Sequence, residues 1–206
     1  MKNTALVSLL SLASVLALNA APKTFDFKDP KGVNAIQFHL DSVLEPISGT
    51  ANGVSGSASF DPANPGATTG KIVVATNSLS VSNSMMTDHL RGEKWLNAAA
   101  NQEISFELAA LKDVKTSGNN TTATATGKLT IKGVSKEISV PVKLTYLEGA
   151  FGKRINKPEL GGDLLVVRGE FTINRSDYGI MPGQMEDKVN SEIKLTLAIV
   201  GSAPKA

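Results

Sequence analysis

From residue 35 onward, apolar and polar side chains alternate over one strand-length run after another. Ile36, Phe38 and Leu40 alternate with Gln37, His39 and Asp41, and Val54, Ala58 and Phe60 share a parity with Gly56 between them. Ile104, Phe106 and Leu108 alternate with Ser105 and Glu107, and Ala123, Ala125, Gly127, Leu129 and Ile131 oppose Thr124, Thr126, Lys128 and Thr130. Ile138, Val140, Val142 and Leu144, then Val167, Phe171 and Ile173, then Ile193, Leu195, Leu197 and Ile199 repeat the pattern. A period of two predicts antiparallel strands with one dry face. The connectors agree: residues 61–66 and 115–120 are rich in Asp, Asn, Pro and Gly, and Lys132-Gly133 makes a tight link. Seven or eight such strands predict a sandwich or a barrel. One stretch differs. Across 84–99 the spacing of Met86, Leu90, Trp95 and Leu96 predicts a short helical insertion around Gly92. There is no repeat and no linker, so the reading is one all-β domain.

The first twenty residues stand outside that domain. Lys2, an uncharged apolar run from Ala5 to Leu18 and the small residues Ala20 and Ala21 follow the order of a secretory leader. The domain expected is therefore 21–206, and its compartment periplasmic or secreted. The chain has 21 Lys plus Arg against 19 Asp plus Glu and no Cys. Near-neutral charge without a basic block excludes a typical nucleic-acid binder. The lack of Cys excludes disulfides, thiolate chemistry and a lipidated cysteine after the leader.

Catalytic groups are sparse. His39 and His89 are the two histidines, with neither HxH nor HExxH spacing, so no metal site and no cofactor are expected. No Gly-x-Ser-x-Gly elbow occurs, and Glu186-Asp187 reads as solvated charge in a turn rich in Pro, Gly and Gln. The chain is expected not to be an enzyme.

Six pieces in order carry a family resemblance: Asp88-His89-Leu90, Trp95-Leu96, Ile104-Ser105-Phe106, the run 127–136 (Gly-Lys-Leu-Thr-Ile-Lys-Gly-Val-Ser-Lys), the run 174–179 (Asn-Arg-Ser-Asp-Tyr-Gly) and Asp187-Lys188-Val189. The chain resembles the YceI-like family, the periplasmic polyisoprenoid-binding proteins. It departs from the family at Met86-Thr87, where an Arg is common before Asp88, and at Gln102, where a Pro is usual. The resemblance implies a single eight-stranded antiparallel lipocalin-like β-barrel whose apolar bore holds an isoprenoid chain, such as an isoprenoid quinone or a prenyl phosphate. The bore would then be lined by Phe38, Leu40, Phe60, Phe106, Leu129, Ile131, Val140, Val142, Phe171, Ile173 and Leu195. Its mouth would carry Met86, Leu90, Trp95 and Leu96, with Trp95, Leu96 and Met86 as a lid. His89, Lys132, Arg175 and Asp177 would stand at the rim; Arg175 and Asp177, read as one face of a strand, form either a structural charge pair or a head-group contact.

Alternation alone does not separate a filled core from a tunnel. The small inward residues Ala58, Ala123, Ala125, Gly127 and Gly169 leave volume. Two other readings stay open: a ligand-free secreted interaction or stress module, and an outer-membrane barrel with its apolar face outward. The last would need aromatic girdles, and the chain has seven Phe, two Tyr and one Trp. Nothing in the sequence specifies an oligomeric state.

Overall fold

The computed structural model describes residues 21–205, so the expected leader lies outside the described residues. Its strands are β1 (Lys23–Asp26), β2 (Ala35–Asp41), β3 (Pro46–Ala51), β4 (Val54–Phe60), β5 (Thr69–Ala75), β6 (Leu79–Val81), β7 (Glu103–Ser117), β8 (Asn120–Ile131), β9 (Val134–Leu147), β10 (Asp163–Asn174) and β11 (Glu192–Ala203). All pair antiparallel in one sheet, and β11 returns to β1. The first six are three long strands, each broken once. β1 and β2 run end to end along the same edge of β11. β4 and β3 lie beside them, and β5 and β6 beside those. With each broken pair taken as one, the wall has eight strands in simple meander order and closes into the expected barrel.

The pleat places side chains as the alternation predicts. On β8, Ala123, Ala125, Leu129 and Ile131 are buried, whereas Thr122 and Lys128 are exposed. A membrane-spanning barrel has the opposite polarity, apolar outward.

The break between β1 and β2 is closed by one side chain. Asn34 is 2% exposed. Its amide accepts from Val200 N–H at 2.8 Å and donates to Val200 O at 3.0 Å and to Phe27 O at 2.9 Å. The amide thus supplies the donor and acceptor that a strand residue would have offered β11. Asn34→Ala leaves these buried groups unpaired and is expected to destabilise the fold by about 3 kcal/mol in chemical denaturation. A change under about 1 kcal/mol would show that water replaces the amide.

Helix α1 (Ser84–Arg91) starts on Asn83, whose side chain accepts from Met86 N–H at 3.1 Å. The expected insertion is helical only over this first half. Gly92 ends it, and 93–101 continues as turns closed by bonds such as Asn97 N–H to Gly92 O at 2.8 Å. A four-residue helix, α2 (Phe151–Arg154), lies where none was expected, because one turn is too short to show a period. Arg154 donates to Asp29 at 2.7 Å and ties α2 to the excursion between β1 and β2. That bond, helped by the N–H groups of Val33 and Lys31 and opposed by burial, holds the Asp29 carboxyl down at about 2.

The upper end of the barrel carries the connections 61–68, 118–119 and 148–162. The lower end carries 42–45, 82–102, 132–133 and 175–191.

Candidate ligand-binding interior

The upper end is filled. Phe25, Phe60 and Leu165 face inward at 0 to 1% exposure, with Phe27 and Ile199 packed just below. Phe25 meets Phe60 and Tyr146 edge-on, with ring centroids 6.3 and 6.4 Å apart. Above them Lys23 donates to Asp163 and to Tyr146 Oη at 3.3 Å, and Tyr146 donates to the same carboxylate at 3.0 Å. Burial opposes the charge on Asp163, but bonds from Lys23, Gly149 N–H and Tyr146 outweigh it and keep its carboxyl below the usual range. The carboxylate in turn raises the Lys23 ammonium, together with Tyr146. This end is a polar seal over an aromatic floor.

The waist is different. Ile36, Ile72, Phe106, Ile138, Val167, Phe171, Leu195 and Leu197 all point inward by register, yet each is only half-buried. Small residues stand among them, Gly169 where Pro141 O approaches too closely for a Cβ. Gly169 faces Val142 across the β9–β10 ladder, and Ala123 and Ala125 oppose Val142 and Val140. A filled core would hide those apolar side chains. Here they stay partly exposed between the two ends, so the waist is less tightly closed than the upper end.

The family model of the YceI-like domain matches residues 29–201. The chain belongs to the YceI-like family. It is 30% identical to a UPF0312 protein of Pseudomonas paraeruginosa over 196 residues, covering 93% of this chain and 94% of that one. Among solved structures it is similar to Burkholderia cenocepacia BcnA, with a TM-score of 0.66, 22% identity and coverage of 81% of this chain and 95% of that one. It also resembles a polyisoprenoid-binding domain from Saccharophagus degradans implicated in plant cell wall breakdown, at TM-score 0.61 and 11% identity, covering 89% of this chain and 99% of that one.

In this YceI-like barrel the sequence-predicted lining residues divide by depth. Phe106, Phe171 and Leu195 belong to the partly exposed waist. Phe38, Leu40, Leu129, Ile131, Val140, Val142 and Ile173 face inward and are buried by neighbours, and Phe60 belongs to the upper floor. Ile36, Ile72, Ile138, Val167 and Leu197 join the lining. All but Ile72 lie in the alternating runs; Ile72 is masked by the unbroken Ile72-Val73-Val74. A depression of about 810 Å³ over β10, β11, β2, β3 and β6 also touches Phe38, Phe171 and Leu195. Gln37, His39, Thr50 and Lys194 line it as well, and these point outward, so it is the outer surface of that wall and not the bore.

The lower end is where the hydrogen-bonded wall is incomplete. β9 and β10 pair only from Val142–Gly169 to Leu147–Leu164, and Pro141, without an N–H, is the first residue past the last pair. β6 pairs with β3, and α1 packs beside β6. Met86, Leu90 and Trp95 are half-buried against the core, and Leu96 is 5% exposed. All the expected mouth and rim residues gather at this end.

Arg175 and Asp177 do not share a strand face. The chain turns into a 3-10 helix at Arg175–Tyr178, which buries Arg175 and exposes Asp177. The Arg175 guanidinium, 1% exposed, is consumed by main-chain oxygens. It donates to Asn190 O at 3.2 Å, Ile180 O at 2.7 Å, Gln184 O at 2.6 Å, Val189 O at 3.0 Å and Met181 O. Burial pulls it below its ordinary value, with Glu186 acting the other way. With its donors occupied, Arg175 is a staple for the 175–191 connection. It also stands 5.6 Å from the Trp95 ring centroid, which joins the two lower connections. Lys132 Nζ donates to Lys94 O at 3.2 Å. His89 and Asp177 are exposed. His39 faces outward and bonds Ser48 Oγ at 2.8 Å.

Proposed function

We propose that this YceI-like protein binds a long-chain apolar lipid of the polyisoprenoid class in the waist of its barrel and carries or sequesters it outside the cytoplasm. The observation that carries this reading is the half-buried ring of inward apolar side chains. An accessible hydrocarbon surface inside a barrel favours a hydrocarbon guest over water. The Saccharophagus domain of the same fold, a polyisoprenoid binder, supports the ligand class, and the leader-like 1–20 supports export.

Burying chain is worth about 0.8 kcal/mol per CH₂, so one five-carbon unit contributes about 4 kcal/mol gross. Eight units would sum to about 30 kcal/mol, beyond the roughly 20 kcal/mol ceiling of real affinities, so ordering the chain and incomplete burial offset much of it. The chain and not the head group sets affinity. That balance suits a carrier and asks for no reaction, metal or cofactor. His89 and Lys132 are the rim groups that retain access to a head group.

Protein exported by a bacterial host, purified without detergent and extracted with solvent, is expected to yield a stoichiometric isoprenoid-like species by mass spectrometry. A clean extract from well-folded protein would overturn the reading in favour of a ligand-free module.

A further inference from the structure

We propose that the lower end docks on a zwitterionic lipid surface through apolar side chains at the tips of its connections, a step that rests on the carrier reading above. Val43, Leu44 and Met185 are 88%, 60% and 46% exposed; Val33 and Leu160 are comparably exposed singly elsewhere, whereas these three share one end of the barrel, and it is a cluster that calls for a partner. They form one patch on two connections. Leu44 N–H donates to Asp187 O at 3.0 Å, Asn190 N–H to Ser42 Oγ at 2.8 Å and Asn190 Nδ2 to Asp41 O at 3.1 Å. The Arg175 staple holds the second connection, so Met185 is presented from a fixed loop. Met85, 67% exposed, extends the rim, because β6 runs down beside β3 toward the 42–45 turn before α1 begins.

Three features point to lipid and not to a protein partner. The side chains stand on turn tips and not on a flat face. They stand at the same end of the barrel as the incomplete stretch of the hydrogen-bonded wall, the natural passage for a guest that resides in lipid. The flanking charges are exposed Glu45, Glu186 and Asp187 against Lys188, an excess of negative charge that disfavours an anionic surface. Apolar insertion is therefore the attraction, as for interfacial anchors.

The test is co-sedimentation of the mature protein with phosphatidylcholine vesicles, and with phosphatidylcholine mixed with phosphatidylglycerol. It compares wild type with Val43→Ser/Leu44→Ser/Met185→Asn, the Asn chosen because φ at 185 is 55°. The variant is expected to lose vesicle binding by about tenfold or more while its extracted lipid content stays unchanged. Wild type is expected to bind the anionic mixture no better than phosphatidylcholine alone. Equal sedimentation of the two proteins, or a wild type that stays in the supernatant, would overturn docking. So would an oligomer in wild type that the variant dissolves, since the patch would then cover a second copy. A lipid-free wild-type extract with the variant's vesicle defect intact would leave docking standing and sink the carrier reading instead.

Discussion

Arg175→Met is expected to destabilise the fold by about 4 kcal/mol and to release the 175–191 connection. The side chain is almost wholly buried and its five contacts are all main-chain carbonyls. Among the described residues no carboxylate lies within hydrogen-bond reach of it; the positive charge is solvated by peptide dipoles. Met keeps most of the apolar stem and removes every donor, so the loss reports on the hydrogen bonds and not on volume. Carbonyls of Ile180, Met181, Gln184 and Val189 would then have to reach water, which they can do only if the loop moves. Lys restores a charge but offers a point ammonium in place of a planar fork, so Arg175→Lys is expected to recover less than half of the loss. The chain holds one Trp, at position 95, and it lies 5.6 Å from this guanidinium. Its emission should shift to longer wavelength in both variants. Unchanged denaturation and emission in Arg175→Met would show that the cage does not hold the loop.

The same residue shows what sequence can and cannot carry. Asn174-Arg175-Ser176-Asp177 looks like the end of a strand, and an i, i+2 pair of opposite charges there looks like a surface bridge. The turn at 175–178 keeps Arg175 buried but takes the next residues off the strand parity, exposing Asp177 and burying Tyr178, and the five acceptors are main-chain atoms of a segment with no pattern of its own. No side-chain identity announces them. By contrast β8, β9 and β11 were legible because each faces the interior along its whole length, so period two runs uninterrupted. The broken strands were not. β3 presents Ile47, Gly49 and Ala51 inward, and Gly49 carries no apolar signal, although a Cβ there would overlap the Phe38 ring. β1 has Phe25 as its one apolar residue facing in along its pairing stretch, beside Lys23 of the same parity, with Phe27 just beyond. Closure into eight strands therefore came from the family resemblance and not from counting alternations. The glycines were a poor guide to room: a Cβ at Gly127 would overlap Glu107 O and the Phe106 ring, and one at Gly169 would press on Pro141 O, so neighbours already fill both sites. Only the partial exposure of the waist side chains separates this interior from a tight core.

Trp95→Ala is expected to speed release of bound lipid by roughly thirtyfold. The ring is half-buried at the lower end, packed against the core beside Leu96, and it faces Arg175. It thereby couples the 82–102 connection to the 175–191 connection, the two segments that cover the incomplete wall. Losing the cation–π contact is worth about 1 kcal/mol and losing the ring's burial about 1 more. Two kcal/mol off an opening barrier corresponds to about thirtyfold in rate. Entry should speed as well, since both directions cross the same opening, so the amount bound at saturation should change much less than the rate. Trp95→Phe keeps an apolar ring and a weaker quadrupole and should fall between the two. A displacement assay, in which excess acceptor vesicles trap lipid released from loaded protein, reads these rates directly. Unchanged release from a folded Trp95→Ala protein would mean that the guest does not leave past this ring. The passage would then have to cross the Lys23–Asp163 seal, where the aromatic floor is fully buried and opening would disrupt far more of the core.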